Sequence, residues 1–283
     1  MLYGAAGTGK TTGLEQRFVH LVRQGCRPEQ IAFLAPSDTR CDAVRSWLQD
    51  ELGQGYEELF VLTPERLAAL VWDASAPGSD ALDSVLDASE RFAMLLERID
   101  ELSLQSHDFG GSARALLAGF IRRIDRLKAH LIGAEEFAQW ADGLPAAGGE
   151  PAETALEREF AEVYRAHERM LAEAGLGDAG DLIAEALRLV RERAALADRF
   201  THVLLDDGHG LDPAAAELVR AVGGSDLAVA LDPVLGTFAL PGAHPVTLQR
   251  SLRCPESVVR AAAAITQLDL TPLRGGGEVA FWC

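Results

Sequence analysis

Eight residues near the start of the chain combine glycines, a lysine and threonines at a spacing suited to binding phosphate. Gly4–Thr11 reads GAAGTGKT and fits G-x-x-x-x-G-K-[ST] at every position. In such a loop the glycines let backbone N–H groups converge on phosphate oxygens, the lysine reaches the outer phosphates, and the threonine hydroxyl can ligate magnesium. We therefore predict that ATP and Mg²⁺ are bound by Gly4, Ala5, Ala6, Gly7, Thr8, Gly9, Lys10, Thr11 and Thr12.

Two adjacent carboxylates form the second feature. The stretch THVLLDD places Asp206 and Asp207 at the end of an apolar run, which predicts a buried strand. Such a pair can simply cap the following turn, because aspartate side chains hydrogen-bond to nearby backbone groups. With a phosphate-binding loop in the same chain, we favour the alternative, in which the pair belongs to the nucleotide site.

Strands and helices alternate around the glycine loop. Met1–Tyr3 is a short apolar lead into it, and a helical pattern then continues to Gly25. Ile31–Ala35 predicts a second strand, which the helical pattern RCDAVRSWLQDEL follows, and LFVLTPERLAALVW adds another strand and helix. This alternation predicts a parallel sheet covered by helices on both faces.

The middle of the chain has a different pattern. Residues 74–199 contain only helical segments, which are ALDSVLDASERFAMLLERIDEL, SARALLAGFIRRIDRLKAHL, AEEFAQWADGL and TALEREFAEVYRAHERMLAEAG. Glycine and proline in LPAAGGEPAE indicate an exposed loop, and strand patterns return in THVLLDD and DLAVALD. We predict an α/β fold in which a P-loop NTPase sheet (1–73 plus 200–283) is interrupted by an all-helical insertion domain (74–199).

Composition and charge narrow the class of protein. With 283 residues, 48% of them hydrophobic, the chain can form one large or two modest packed domains. No apolar run approaches the ~20 residues that span a bilayer, so we expect a cytoplasmic protein without membrane contact. The four cysteines lack a CxxC pair, which argues against a zinc site. The net charge of −17 argues against a surface that binds nucleic acid everywhere, although a local basic groove remains possible.

Taken in order, these stretches resemble the N-terminal half of UvrD/Rep-type superfamily 1 DNA helicases, with a RecA-like sheet (domain 1A) and a helical domain 1B. GAAGTGKTT resembles motif I, and AFLAPSDTR and VLTPERLA stand where the family has strand ends that contact single-stranded DNA. LGDAGDLIAEAL, FTHVLLDDGHGLDP, AVALDPVLGTF and TLQRSLRCPESVVRAA resemble later family motifs. Within the family, the chain most resembles AdnA-like subunits of actinobacterial helicase–nuclease heterodimers.

The resemblance implies roles for individual residues. Asp206 and Thr11 would ligate magnesium, and Asp207 would be the general base that orients the attacking water. Lys10 and Arg253 would complement the charge of the transferred phosphate as catalytic residues. The family has glutamate in place of Asp207, whose carboxylate is therefore about 1.5 Å further from the phosphate, and misplacement of about 1 Å can cost on the order of a hundredfold in rate.

Two further positions depart from the family pattern. His209 replaces a glutamine that senses the γ-phosphate, and Leu235 replaces one that couples nucleotide to DNA. We therefore expect ATP to be bound and only weakly hydrolysed. For His209 a turn residue is the favoured alternative to a catalytic one, and Arg253 can also be read as a surface charge at the start of a helix.

Single-stranded DNA is the partner that the resemblance implies, and a second helicase or nuclease subunit is a further one. We expect DNA to cross the carboxyl end of the sheet near Ser37, Thr63 and Phe238. Phe238 fits a core position equally well. The basic helix FIRRIDRLKAHL is another nucleic-acid candidate, although a solvated face is the favoured interpretation of Arg122, Arg126 and Lys128.

The sequence favours the ATP-binding portion of a DNA helicase that acts in DNA repair or recombination. The family's second motor domain and its upstream glutamine motif are not found in the 283 residues, so we expect the isolated chain to bind nucleotide poorly and to be inactive as a helicase. Whether this reflects an excised fragment or a natural truncation stays open. A non-motor regulatory subunit that binds ATP is the alternative function, and a small-molecule P-loop kinase is disfavoured by the helical insertion.

Overall fold

The chain forms two compact units. The computed structural model describes residues 1–53, 56–75, 81–107, 112–196, 198–224, 226–267 and 269–279. The first unit comprises Met1–Leu67, Val190–Leu211 and Ala216–Cys283, and the second comprises Ala68–Leu189 and Asp212–Ala215. The divisions after Leu67 and before Val190 lie six and ten residues from the predicted boundaries at 73 and 199, and the short segment Asp212–Ala215 was not predicted to belong to the second unit.

A six-stranded sheet forms the centre of the first unit. Its strands are β1 (Leu2–Gly4), β2 (Ile31–Leu34), β3 (Phe60–Leu62), β4 (His202–Leu205), β5 (Leu227–Leu231) and β6 (Val246–Leu248). They lie in the order β3-β2-β4-β5-β1-β6, and every neighbouring pair is parallel. The predicted α/β class with a parallel sheet is confirmed.

Apolar runs explain why these strands lie inside. All four residues of β2 are buried, and Ile31–Leu34 pairs in register with His202–Leu205 of β4. A strand covered on both faces by helices reads as a continuous hydrophobic run, which is why IAFL and HVLL were recognisable as strands. The carboxyl ends of β1, β2 and β4 therefore reach the same edge of the sheet, where parallel α/β folds place their ligands.

Helices that follow the strands complete this unit. They are α1 (Lys10–Arg23), α2 (Asp38–Leu52), α3 (Pro64–Ser75), α9 (Pro213–Gly223) and α10 (Glu256–Thr266). The Ser37 hydroxyl caps α2 by accepting a hydrogen bond from the backbone N–H of Arg40 at 3.3 Å. One side of α1 and α2 packs on β2 around the fully buried Phe18, Phe33 and Leu48.

Three strands of the first unit were missing from the sequence prediction. β6 adds to the edge of β1, and β7 (Arg250–Pro255) pairs with β8 (Thr271–Arg274) in a separate two-stranded sheet. Most of their residues are exposed or half-buried, so they lack the continuous apolar run that marks a central parallel strand.

The second unit is helical, as predicted. Its helices include α4 (Ala88–Glu97), α5 (Ala113–Lys128), α6 (Ala134–Gly143), α7 (Pro151–Ala174) and α8 (Ala179–Glu192). Its described residues form no strand apart from an isolated parallel bridge between Val85 and Gly177. Phe120, Phe160 and Tyr164 lie in the apolar core between α5, α6 and α7.

The single long helix predicted over residues 81–102 is wrong. Residues 82–84 and 99–101 form 3-10 turns, and only α4 between them is α-helical. Asp87 starts α4 in a capping box, because its carboxylate accepts from the backbone N–H of Glu90 while the Glu90 carboxylate accepts from the N–H of Asp87. The predicted loop at 144–153 is shorter than expected, since α7 begins at Pro151.

None of the helices in the described parts of the chain is both long and apolar enough to cross a membrane.

Candidate nucleotide site

The glycine loop joins the end of β1 to the start of α1. Gly7 and Gly9 have φ values of +79° and +88°, in the left-handed region that side chains disfavour. A Cβ at Gly4 would lie only 2.3 Å from Thr8 Oγ1, so the strand end also excludes a side chain. Thr8 Oγ1 donates to the carbonyl of Ala5 at 2.8 Å, which closes the loop on itself. The loop is thus shaped by local sequence, as the pattern predicted.

Lys10 is held over this loop by the start of α1. The residue is 8% exposed, and its Nζ donates to the Ala5 carbonyl at 3.2 Å. Its ammonium group is therefore placed beside backbone N–H groups at a helix N-terminus, where phosphate oxygens are favoured. The arrangement fits a bound nucleoside polyphosphate, with Lys10 as the cation for the outer phosphates.

Thr11 and Asp206 meet across the sheet edge although 195 positions separate them. The Thr11 hydroxyl donates to Asp206 Oδ2 at 2.6 Å, and Asp206 is 1% exposed. Burial raises the pKa of the Asp206 carboxyl, and the nearby Asp207 charge adds to this, while the Thr11 hydrogen bond and the Arg40 charge oppose it. Asp206 Oδ1 is buried and has no hydrogen-bond partner among the residues that the structure describes. Two adjacent oxygen ligands and an orphaned carboxylate oxygen fit a Mg²⁺ ion.

Arg40 is a site residue that the sequence analysis missed. Its Nη2 donates to Thr11 Oγ1 at 2.5 Å and lies 3.6 Å from Asp206 Oδ2. Arg40 occupies the first turn of α2, which begins just after the carboxyl end of β2. The helical pattern of α2 was visible in the sequence, but the neighbour relation of β2 and β4 that brings Arg40 to Asp206 was not.

Asp207 directly follows the strand that carries Asp206. Its φ and ψ are 49° and 41°, the left-handed conformation that few residues other than glycine adopt. Aspartate tolerates this conformation better than most residues, and the turn directs consecutive carboxylates differently. Asp206 is consequently buried against Thr11, whereas Asp207 faces the cleft.

His209 and Leu235 occupy the positions where the family glutamines were expected. His209 lies in the short 3-10 turn Gly208–Gly210, and its Nδ1 accepts from the backbone N–H of Asp232 at 3.2 Å. This bond occupies Nδ1 and leaves Nε2 as the other polar atom of the ring. Leu235 is 68% exposed, and its side chain can neither donate nor accept a hydrogen bond. The turn therefore links the ends of β4 and β5 through His209.

Arg253 reaches the glycine loop from β7. The backbone N–H of its neighbour Leu252 donates to the Gly7 carbonyl at 2.8 Å, which ties β7 to the loop. A Cβ at Gly7 would lie 3.1 Å from Arg253 Cβ and 3.4 Å from its Nε. The described residues give Arg253 no acidic partner, and the residue is exposed. Arg253 thus lines the cleft from β7, shortly before α10 begins at Glu256.

A cleft of about 410 Å³ joins these groups. Of the residues predicted for nucleotide and catalysis, the cleft is lined by Ala6, Gly7, Gly9, Lys10, Thr11, Thr12, Asp207 and Arg253. The remaining predicted residues Gly4, Ala5, Thr8 and Asp206 do not line the cleft, and Asp206 contacts it through Thr11. Arg40, His209, Asp232, Leu235 and Leu252 complete the lining.

The positions expected to contact DNA are mostly structural. Ser37 caps α2, and Thr63 accepts at 3.3 Å from the backbone N–H of Arg66 at the start of α3. Phe238 is 5% exposed, and the Arg220 guanidinium lies 4.5 Å from its ring centroid, so it is a core residue. The two helix-capping residues nevertheless lie just after the carboxyl ends of β2 and β3, at the edge of the sheet.

The predicted accessibility of Lys128, in the basic helix of the second unit, is wrong. Both the favoured interpretation, a solvated face, and its alternative, DNA contact, required an accessible side chain, yet Lys128 is 6% exposed. Its Nζ lies within 2.9 Å of carboxylate oxygens of Glu168, Asp178 and Asp181. Arg122 and Arg126 are exposed, as the helical pattern predicted. The Asp178 and Asp181 positions that resembled a family motif thus form part of a buried ionic network.

Comparison with known proteins adds one finding. A family model described as UvrD/REP helicase N-terminal domain matches residues 1–234, which include the glycine loop, the helical unit and the Asp206–Asp207 pair. No curated protein matches the chain. The matched span covers well over half of the 283 residues.

Proposed function

This chain belongs to the UvrD/REP helicase N-terminal domain family, and from that membership we propose that it binds Mg-ATP for DNA repair or recombination. The family supports a helicase ATP-binding portion and contact with DNA. One observation carries the proposal for this chain: Asp206, 195 positions away in sequence, hydrogen-bonds to Thr11, which lines one cleft together with Lys10 and other residues of the phosphate-binding loop.

Each group in the cleft has a role in binding the nucleotide. The backbone N–H groups of the loop and Lys10 would hold the phosphates, and Arg253 would complement the charge of the terminal one. Thr11 and Asp206 would hold magnesium, which neutralises phosphate charge when bound. Such binding depends on preorganised donors, and Gly7 and Gly9 provide the close approach that these donors require.

Hydrolysis should be weak, because the base is short. Asp207 faces the cleft, but its carboxylate is one methylene, about 1.5 Å, shorter in reach than glutamate, and a displacement of about 1 Å can cost on the order of a hundredfold. The left-handed backbone at Asp207 fixes the position of its Cβ atom, so the backbone does little to make up for the shorter side chain.

A specific observation supports a second candidate, a non-motor regulatory subunit of a helicase–nuclease complex. The Nδ1 atom of His209 is engaged by the Asp232 backbone, which leaves only Nε2 for the cleft, and Leu235 is apolar, so neither position offers the amide group of the family glutamines. An AdnA-like subunit paired with a second helicase or nuclease subunit would use such a site for regulation rather than movement.

Single-turnover ATP hydrolysis with and without single-stranded DNA tests both functions. We expect slow hydrolysis by the unaltered chain and a gain of about tenfold or more in Asp207→Glu, because the glutamate reaches the attacking water. Asp226→Glu adds the same methylene at an exposed position outside the cleft and should change nothing. Brisk, DNA-stimulated hydrolysis by the unaltered chain would refute the weak-hydrolysis proposal and leave the motor function in place.

A further inference from the structure

Arg40 contacts the same two side chains that would hold a metal ion. Its guanidinium donates to Thr11 Oγ1 at 2.5 Å and is 3.6 Å from Asp206 Oδ2, and these two oxygens are 2.6 Å apart. The three groups form a compact triangle at the edge of the cleft. Magnesium binds oxygen ligands at about 2.0–2.1 Å in a strict octahedral shell, so the same oxygens cannot serve the ion and the guanidinium together.

The position of Arg40 allows it to leave this triangle. Its backbone is fixed in the first turn of α2, where its N–H donates to the Ser37 hydroxyl at 3.3 Å. Its side chain is 42% exposed and lines the cleft beside Lys10 and Thr12. The guanidinium bonds described for Arg40 involve only Thr11 and Asp206, so displacement breaks no other ion pair among the described residues.

Charge explains why the arginine stays in place until a metal arrives. Asp206 is 1% exposed, and its carboxylate would lack a counter-charge without a nearby cation, which is costly in a buried setting. Arg40 supplies that cation at 3.6 Å. A divalent ion on the same oxygens would supply more charge and would repel the guanidinium towards the open cleft, where nucleotide phosphates are expected.

We propose that Arg40 competes with Mg²⁺ for the Thr11–Asp206 pair and thereby sets the magnesium concentration at which nucleotide binds. In the metal-free protein the guanidinium holds the two ligands, and in the metal-bound protein it moves away from them into the open cleft. This inference rests on the proposed nucleotide site, and it assigns a positioning role to a residue of α2 rather than to the glycine loop or β4.

Magnesium titration of nucleotide binding tests the competition. The full chain is mixed with a fixed concentration of a fluorescent N-methylanthraniloyl ADP in EDTA, and Mg²⁺ is added until the signal saturates. Arg40→Gln should lower the Mg²⁺ midpoint by roughly 3- to 10-fold, because one like charge has been removed from the ion's site. Arg17→Gln, which removes an exposed guanidinium from α1 outside the cleft, should leave the midpoint unchanged.

A second arm measures the metal without nucleotide. Binding of Mn²⁺ is followed by electron paramagnetic resonance in the unaltered chain, in Arg40→Gln and in Arg40→Gln/Asp206→Asn, with circular dichroism confirming that each is folded. Arg40→Gln should bind Mn²⁺ more tightly by a similar factor, and Asp206→Asn should abolish the gain.

Equal Mn²⁺ affinity, or an unchanged or raised Mg²⁺ midpoint, would overturn the proposal. If the unaltered chain binds no nucleotide at all, the proposed function fails while the Mn²⁺ arm still decides the role of Arg40.

Discussion

Replacing Lys128 with methionine should strongly destabilise the helical unit. The ammonium group is 2.9 Å from Asp178 Oδ2, 2.7 Å from Asp181 Oδ1 and 2.7 Å from Glu168 Oε1. Burial alone would lower the pKa of Lys128, but these three carboxylates raise it, so the side chain stays charged. Methionine keeps the length of the chain and leaves the carboxylates without their shared cation.

The loss of stability in Lys128→Met depends on which carboxylates are left without a positive partner. Asp178 is 1% exposed and keeps the Arg91 guanidinium and the backbone N–H of Asp181, each at 3.1 Å, whereas the side chains of Asp181 and Glu168 are 38% and 33% exposed and can be hydrated. Breaking a buried pair by removing one partner costs about 3–5 kcal/mol, and partial hydration of two partners places Lys128→Met near 3 kcal/mol.

Urea unfolding followed by far-UV circular dichroism measures this cost. A loss of about 3 kcal/mol at a slope of about 2 kcal/mol per molar urea lowers the midpoint by about 1.5 M. Arg126→Met on the same helix removes an exposed charge and should stay within about 0.5 kcal/mol of the unaltered chain. Lys128→Met/Asp178→Asn should recover part of the loss, because the most buried charge goes with its partner. If Lys128→Met is no more destabilising than Arg126→Met, the network does not stabilise the unit.

Three further changes test other parts of the structure. Burial alone would raise the pKa of Glu159, but the backbone N–H groups of residues 105–107 hold it at about 2, so acid titration should show stability present above pH 4.5 and lost as the pH falls towards 2. Glu159→Gln should remove that dependence and cost about 2 kcal/mol at neutral pH in urea unfolding. Asp87→Ala should cost about 1 kcal/mol in the same assay, because the capping box of α4 is lost. Gly4→Ala should weaken nucleotide binding in a fluorescence titration, since its Cβ would lie 2.3 Å from Thr8 Oγ1.

Each of these changes has a clear contrary result. A stability profile for Glu159→Gln with the same acid limb as the unaltered chain would assign that limb to other carboxylates. Unchanged urea midpoints for Asp87→Ala would mean that α4 is held by its core contacts alone. Gly143→Ala, where a Cβ meets nothing within 4 Å, is the control for Gly4→Ala, and equal nucleotide affinity in the two variants would contradict the packing argument.

The sequence predicted the parts of the site that depend on local spacing. Gly4–Thr11 forms its loop through contacts between near neighbours, such as Thr8 to Ala5 and Lys10 to Ala5, so eight residues sufficed to recognise it. The apolar runs of β2 and β4 likewise marked buried strands, whose carboxyl ends then had to share an edge.

The remaining contacts depend on how distant elements pack. Arg40 meets Thr11 from another helix, and Lys128 meets Asp178 at a distance of 50 positions, so neither contact leaves a periodic signal in the sequence. Lys128 was therefore taken for a surface charge. The helix predicted over 81–102 was too long for a local reason. The Asp87 and Glu90 cap was present in the sequence, but hydrophobic periodicity alone does not reveal that a helix starts there.

Magnesium-dependent ATP binding is the most direct test of the nucleotide site. The full chain is titrated with a fluorescent ATP analogue in the presence of Mg²⁺ and of EDTA, with Lys10→Ala beside it. We expect saturable binding that Mg²⁺ strengthens and that Lys10→Ala weakens by about 10- to 100-fold, because a charged hydrogen bond to phosphate contributes about 1.5–3 kcal/mol. Binding that is absent, or that is equal in the unaltered chain and in Lys10→Ala, would contradict the assignment of this cleft as an ATP site.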